Sequence, residues 1–194
     1  KDRILQYIDR LKASGINQYY KKIDSTLRGN FGVELKALFS QTTKDAIFII
    51  PAYPESGRTT EKGYQYVKGS LLAETEFAED ILTPVNYSYI PDILKEQGIK
   101  REKIKVVSRE KIYNSDKNDF NSFIEDQIHS GVKFFIFDSK TRKDLTSWAQ
   151  KIKFYPGDPI ISGCAGMAEE IPVIWNMSSE SITDENKDKT SVNT

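Results

Sequence analysis

Apolar positions recur along the chain with two periods. In residues 1–14, Ile4, Leu5, Ile8 and Leu11 return at helical spacing, which predicts an amphipathic helix ended by Gly15. Residues 18–23 predict a short strand and residues 33–40 a helix. Ala46-Ile47-Phe48-Ile49-Ile50 is a continuous apolar run closed by Pro51, as expected of a parallel strand buried on both faces. Residues 64–67 and 71–72 flank Lys68-Gly69 and predict a small β-hairpin. Residues 90–97 predict a helix with Ser88 as its cap and Pro91 in its first turn. Residues 104–107 read as a strand. Residues 120–128 read as a helix with Phe120, Phe123, Ile124 and Ile128 inward. Residues 133–137 form a second buried strand closed by Asp138, which either takes part in a site or caps the following turn. A helix over 141–152, a last short strand over 159–161 and a strand starting at 173–175 complete the pattern. Strand and helix alternate, so the fold class is α/β: three-layer, with a largely parallel sheet, flanking helices and a small β-hairpin insertion.

One domain is expected over residues 1–177. Residues 178–194 are polar and unpatterned, and read as a linker or disordered tail. The chain opens on a helix where a doubly wound sheet opens on a strand, so the domain is expected to lack its first strand.

Composition narrows the function classes. Lys plus Arg and Asp plus Glu both number 28, so net charge gives no sign of a general nucleic-acid surface. One Cys and one His exclude a self-contained Cys/His zinc site and an intrachain disulfide. No apolar run reaches transmembrane length and no signal peptide is visible, so a cytoplasmic protein without a membrane partner is expected.

Candidate chemistry concentrates in Lys21-Lys22-Ile23-Asp24-Ser25-Thr26-Leu27-Arg28-Gly29-Asn30-Phe31-Gly32. Polar groups at a strand end, followed by glycines and a helix, describe an anion or polyol site. Lys and Arg oppose an anion, and Arg can grip a carboxylate or phosphate through two parallel bonds. Asp24 has three open roles: accepting bonds from substrate hydroxyls, taking a proton from one, or pairing with Arg28. In an extended turn the four-residue spacing does not force that pair. The loop 51–60 follows a buried strand and offers Arg58 and Thr59. The acidic run 74–80 is a solvated face or an acidic rim to the site. Ser162-Gly163-Cys164-Ala165-Gly166 suits close backbone approach to a ligand but is neither a Walker loop nor a Rossmann fingerprint. Cys164 has no basic neighbour in sequence, and His129 sits at a helix end, so neither is assigned a catalytic role.

The stretch Lys21 to Asn30 closely resembles the signature of the four-carbon acid sugar kinase family. So do Pro51-Ala52-Tyr53-Pro54, Gly57-Arg58-Thr59-Thr60-Glu61-Lys62-Gly63-Tyr64, Glu74-Thr75-Glu76-Phe77-Ala78, Phe137-Asp138 and Ser162-Gly163-Cys164-Ala165-Gly166-Met167-Ala168, in the same order. The likeness spans about residues 10–175. It implies an ATP- and Mg2+-dependent kinase that phosphorylates the terminal 4-hydroxyl of acids such as threonate, erythronate or 3-oxo-tetronate. It further implies an N-terminal domain for the sugar acid and a C-terminal domain for the nucleotide.

The chain resembles the N-terminal domain only. It departs from the family in lacking the opening aspartate-aspartate-x-threonine-glycine motif and the glycine-rich nucleotide domain. A fragment that is inactive alone is therefore expected, with a sugar acid and the C-terminal nucleotide-binding domain as partners and a homo-oligomer allowed. By the resemblance, Lys22 and Arg28 take the substrate carboxylate or the developing phosphate charge, and Asp24 is both the catalytic candidate and a holder of a substrate hydroxyl. Ser25 and Asn30 add polar bonds, and Arg58 closes the site. Ser162, Gly163 and Gly166 are assigned to the cofactor, and no metal ligand is assigned. The alternatives are a non-catalytic α/β module for a small acid or phosphate, and a lyase or aldolase acting through Lys21 or Lys22.

Overall fold

The computed structural model describes residues 2–177. The chain runs α1 (Asp2–Ala13), β1 (Tyr20–Lys22), α2 (Phe31–Ser40), β2 (Ile47–Ile50), β3 (Arg58–Glu61), β4 (Tyr64–Val67) and β5 (Ser70–Leu71). It continues through α3 (Ile90–Glu96), β6 (Ile104–Val107), α4 (Glu110–Asn114), α5 (Lys117–His129), β7 (Phe134–Phe137), α6 (Arg142–Lys153), β8 (Ile160–Gly163), α7 (Ala165–Ala168) and α8 (Ile171–Ile174). Five strands form one parallel sheet in the order β1-β8-β2-β7-β6, and β3-β4-β5 form a small antiparallel sheet.

Side chains alternate between the two faces of each strand, and both faces of the main sheet are covered. Ile47, Ile49, Phe134 and Ile136 join one buried cluster with Leu35 and Leu38 of α2 and Ile93 and Leu94 of α3. Phe48, Ile50, Phe135 and Phe137 join the other, with Phe120 of α5 and Trp148 of α6. Every residue of β2 and β7 is buried, which is why these strands are continuous apolar runs. Phe48 meets Phe135 and Phe137 edge-on, and Phe137 meets Trp148 the same way at 4.9 Å. Burying one such side chain stabilises by roughly 1.5–3 kcal/mol. α5 and α6 each start with a reciprocal capping box, Asp116 with Asp119 and Thr141 with Asp144.

The structure corrects several expectations. Residues 58–61 are a strand, not part of a loop. The two connections of the small sheet are two-residue turns, Lys62-Gly63 and Lys68-Gly69, with positive φ at all four positions, the backbone a tight hairpin requires. Ser88 does not cap α3. Tyr89 holds that position, and the Ser88 hydroxyl accepts the Ala73 N–H at 2.8 Å. Residues 173–175 start no strand, because Pro172 sits in the first turn of the short helix α8. α2 begins at Phe31, and α5 at Lys117 with Phe120 and Ile124 fully buried and Phe123 and Ile128 partly so. On α1, Ile8 is buried and Leu11 exposed, whereas the side chains of Ile4 and Leu5 and all of residues 178–194 lie outside the described residues. Among the described residues no helix is long and apolar enough to cross a membrane.

Candidate functional site

Parallel pairing brings the C-terminal ends of three strands together. Lys22 of β1 and Ile50 of β2 both register with Gly163 of β8. The segments that leave these ends, residues 23–30, 51–57 and 164–166, therefore start at one edge of the sheet, where open α/β folds bind ligands. The small sheet is fastened to the same edge. Thr60 and Ser139 exchange backbone bonds at 2.8 and 2.9 Å, and the Asp138 carboxylate accepts the N–H groups of Lys62 at 2.7 Å and Gly63 at 2.9 Å. Asp138 thus anchors the hairpin turn and does not cap the start of α6. It is 3% exposed, and burial above all pushes its pKa up to about 6 despite those two bonds.

The turn after β1 is tightly tied. Ile23 N–H bonds the Gly163 carbonyl at 2.8 Å, and Leu27 N–H closes onto the Asp24 carbonyl at 3.0 Å. Leu27 itself adopts φ 55°, a left-handed conformation uncommon for Leu. Asp24 Oδ2 accepts the Thr26 hydroxyl at 2.8 Å and Arg28 Nε at 2.6 Å. Burial pushes the Asp24 carboxyl up, but the bonds from Arg28 and Thr26 outweigh it and hold the group below the usual carboxylate range. Arg28 also reaches Asp80 at 3.2 Å and lies over the Phe77 ring, 5.5 Å from its centroid. Of the three roles open to Asp24, the pair with Arg28 is therefore present, and the acidic run contributes Asp80 as a second partner of Arg28.

The remaining candidates divide into paired and unpaired groups. Lys21 is neutralised by Glu34 at 2.6 Å. Lys22 donates to the Ile23 carbonyl at 2.7 Å, and neither it nor Arg58 has an acidic partner among the described residues. Arg58 Nη1 is held by the Ser56 carbonyl, while its buried Nε has no partner. Ser25 is half-buried, and its carbonyl accepts Gln65 Nε2 at 2.9 Å. Asn30 is exposed at the N-cap of α2 and makes no side-chain cap bond.

The glycine-rich turn has an internal explanation. A Cβ on Gly163 would sit 2.5 Å from the Ile50 carbonyl oxygen and 2.8 Å from Met167 Cβ, and one on Gly166 would press on Tyr53 and Leu145. Ser162 is fully buried, and its hydroxyl donates to the Lys21 carbonyl at 3.0 Å. Cys164 donates to the Ala52 carbonyl at 3.0 Å, and burial raises its thiol pKa, so it stays protonated.

Gln65 has no counterpart in the sequence reading. It is fully buried, accepts the Thr60 hydroxyl at 2.8 Å and donates to the Ser25 carbonyl, so it ties the hairpin to the Asp24–Ser25 turn. The only signal in the sequence is a polar residue at an alternating strand position.

Comparison with known proteins bears on this geometry. Residues 1–171 match the family described as "Sugar-binding N-terminal domain". The chain is 35% identical over 156 residues to a D-threonate kinase of Salmonella typhimurium, covering 79% of this chain and 35% of that protein. It is 28% identical to a 3-oxo-tetronate kinase of Pseudomonas savastanoi, covering 87% of this chain and 39% of that one. The chain thus spans little more than a third of the length of these relatives. A crystal structure from Bordetella bronchiseptica, of a domain of unknown function with bound citrate and a domain-swapped dimer, superposes with a TM-score of 0.72 at 27% identity, covering 89% of this chain and 40% of that one.

Proposed function

Because the chain belongs to the family of sugar-binding N-terminal domains of four-carbon acid sugar kinases, we propose that it is the sugar-acid-binding part of an ATP-dependent kinase acting on the 4-hydroxyl of such an acid. The observation that carries the reading is the shared edge. Lys22, with no acidic partner among the described residues, leaves the sheet beside Gly163, next to a turn whose ionised Asp24 is held in place by Arg28 and Thr26. Lys22 and Arg58 supply charge for the substrate carboxylate, and Arg28 supports Asp24. Ser25 and Asn30 offer polar bonds to hydroxyls. An Asp kept below the usual carboxylate range is a weak base but a dependable acceptor, so Asp24 orients the attacking hydroxyl.

The nucleotide is assigned elsewhere on this reading. The side on which a Cβ would stand at Gly163 and Gly166 is filled by the chain itself, so packing alone accounts for both glycines, and α7 has four residues. ATP and Mg2+ are assigned to a further domain of the full polypeptide, and no step is derived through them. The same packing gives weight to a second reading, a binding module for a small acid or phosphate without catalysis. A homo-oligomer is proposed by likeness to the dimeric relative.

Calorimetry on the 194-residue chain tests the proposal. D-threonate, D-erythronate and 3-oxo-tetronate are titrated separately, with inorganic phosphate as a fourth arm. The expected result is binding of at least one acid that is lost in Lys22→Ala and in Arg58→Ala. Phosphate bound as tightly as every acid would favour the module. Acid binding unchanged in both variants would refute the site.

A further inference from the structure

At the other end of the sheet lies a cavity of about 250 Å³ that the proposed function does not use. Phe134, the first residue of β7, and Phe39 near the end of α2 form its floor, their rings 6.1 Å apart. Lys36, Lys100, Lys103 and Lys133 surround it, and no carboxylate lines it.

The lysines are not consumed by acidic neighbours. Lys36 donates to the Gly98 carbonyl at 2.9 Å and Lys133 to the Asp45 carbonyl at 3.5 Å, leaving their charges uncancelled. Lys103 has no acidic partner among the described residues, and Lys100 reaches Glu102 only at 4.0 Å. The end of α2 would present carbonyls toward an anion, but the Ser40 and Thr42 hydroxyls occupy those of Ala37 and Phe39. A polyol would be poorly served here, because the lining offers ammonium donors and apolar surface but few acceptors.

We propose that this cavity is a second ligand site, for a small amphipathic anion: an aromatic or short aliphatic body on Phe39 and Phe134, with a phosphate or carboxylate head among the four lysines. Apolar walls with a few convergent charged groups are the usual make-up of a small-molecule site, and the modest volume selects a ligand of about one ring. A solvated lysine face would give charge without the concave apolar floor.

The test is an amide-resolved NMR titration of the labelled 194-residue chain with phenyl phosphate, with inorganic phosphate and phenol as separate arms. Saturable shifts are expected around Gly98, Lys103 and Phe134, with each half-ligand binding about tenfold more weakly or worse. Lys103→Glu and Lys36→Glu alter exposed residues, so both variants keep the parent spectrum elsewhere. Each is expected to weaken phenyl phosphate by about tenfold. Shifts centred on Lys22 and Arg58, equal affinity for phosphate alone, or affinity unchanged in both variants would overturn the assignment.

Discussion

Replacing Asp138 with Asn is expected to destabilise the protein at low pH and to change its stability little above pH 7. Both carboxylate oxygens accept backbone N–H groups from the hairpin turn, and the side chain is almost fully buried. Its pKa rises from the ordinary 3.8 to about 6, with burial the leading cause. The folded state therefore holds a proton that the unfolded state releases between these values. Stability falls as pH rises through that window, and the full penalty is present above about pH 6. At about 1.4 kcal/mol per pH unit, the penalty approaches 3 kcal/mol as an upper figure. Asn carries no charge and escapes this penalty. It presents one acceptor and one N–H₂ to two N–H donors, however, so it leaves a buried donor unpaired at a cost of about 1–3 kcal/mol. The two effects nearly cancel at pH 7.5. At pH 4 only the second operates, and Asp138→Asn should be the less stable protein by about 1–3 kcal/mol. Urea denaturation of both proteins from pH 4 to pH 8 reads this directly. Asp24, Asp80 and Asp144 are all displaced downward, so they titrate below the window and do not obscure it. A stability difference that stays constant from pH 4 to pH 8 would refute the reasoning.

Asp144→Asn should destabilise by about 2 kcal/mol at pH 7, because burial is overcome by bonds from Arg109, Tyr113 and two backbone N–H groups that hold the carboxyl near 2. That difference should shrink as pH falls from 4 toward 2 in chemical denaturation, since it is the ionised form that is stabilised. Gly163→Ala should lower the thermal midpoint, with a loss of about 1–3 kcal/mol from the clash with the Ile50 carbonyl and Met167, in a melting scan. Arg28→Ala should weaken four-carbon acid binding in calorimetry less than Lys22→Ala or Arg58→Ala does, because Arg28 acts through Asp24, and should change stability by only about 1 kcal/mol. Purified alone, the chain should show no phosphorylation of these acids in a coupled ADP assay.

What was legible in the sequence follows from which constraint was local. β2 and β7 announce themselves because burial on both faces demands an unbroken apolar run. β3 does not, since Arg58-Thr59-Thr60-Glu61 contains no apolar residue. It is a strand because β4, Asp138 and Ser139 hold it from a distance. Residues 173–175 misled in the opposite direction. Val173 and Ile174 favour strands by side-chain type, but a proline in the first turn and backbone bonds to Glu170 settle a helix.

The same division runs through the candidate site. The edge of the sheet from which residues 23–30, 51–57 and 164–166 leave was readable from the strand ends. The partners of the polar groups were not, because Asp80 lies 52 positions from Arg28 and Gln65 lies 40 from Ser25. Those long-range partners decide the electrostatics. Of the four cations singled out in the sequence, Lys21 answers Glu34, and Arg28 answers Asp24 and Asp80. On the proposed function, the charge left for a ligand then rests on Lys22 and Arg58. A four-carbon acid brings one carboxylate, and transfer to its hydroxyl develops further negative charge. Two cations without acidic partners match that demand, whereas four would also require the network that orders the Asp24 turn to come apart. On the proposed function, Arg28 therefore works through Asp24, and Lys22 and Arg58 are where a change of charge should be felt first in binding.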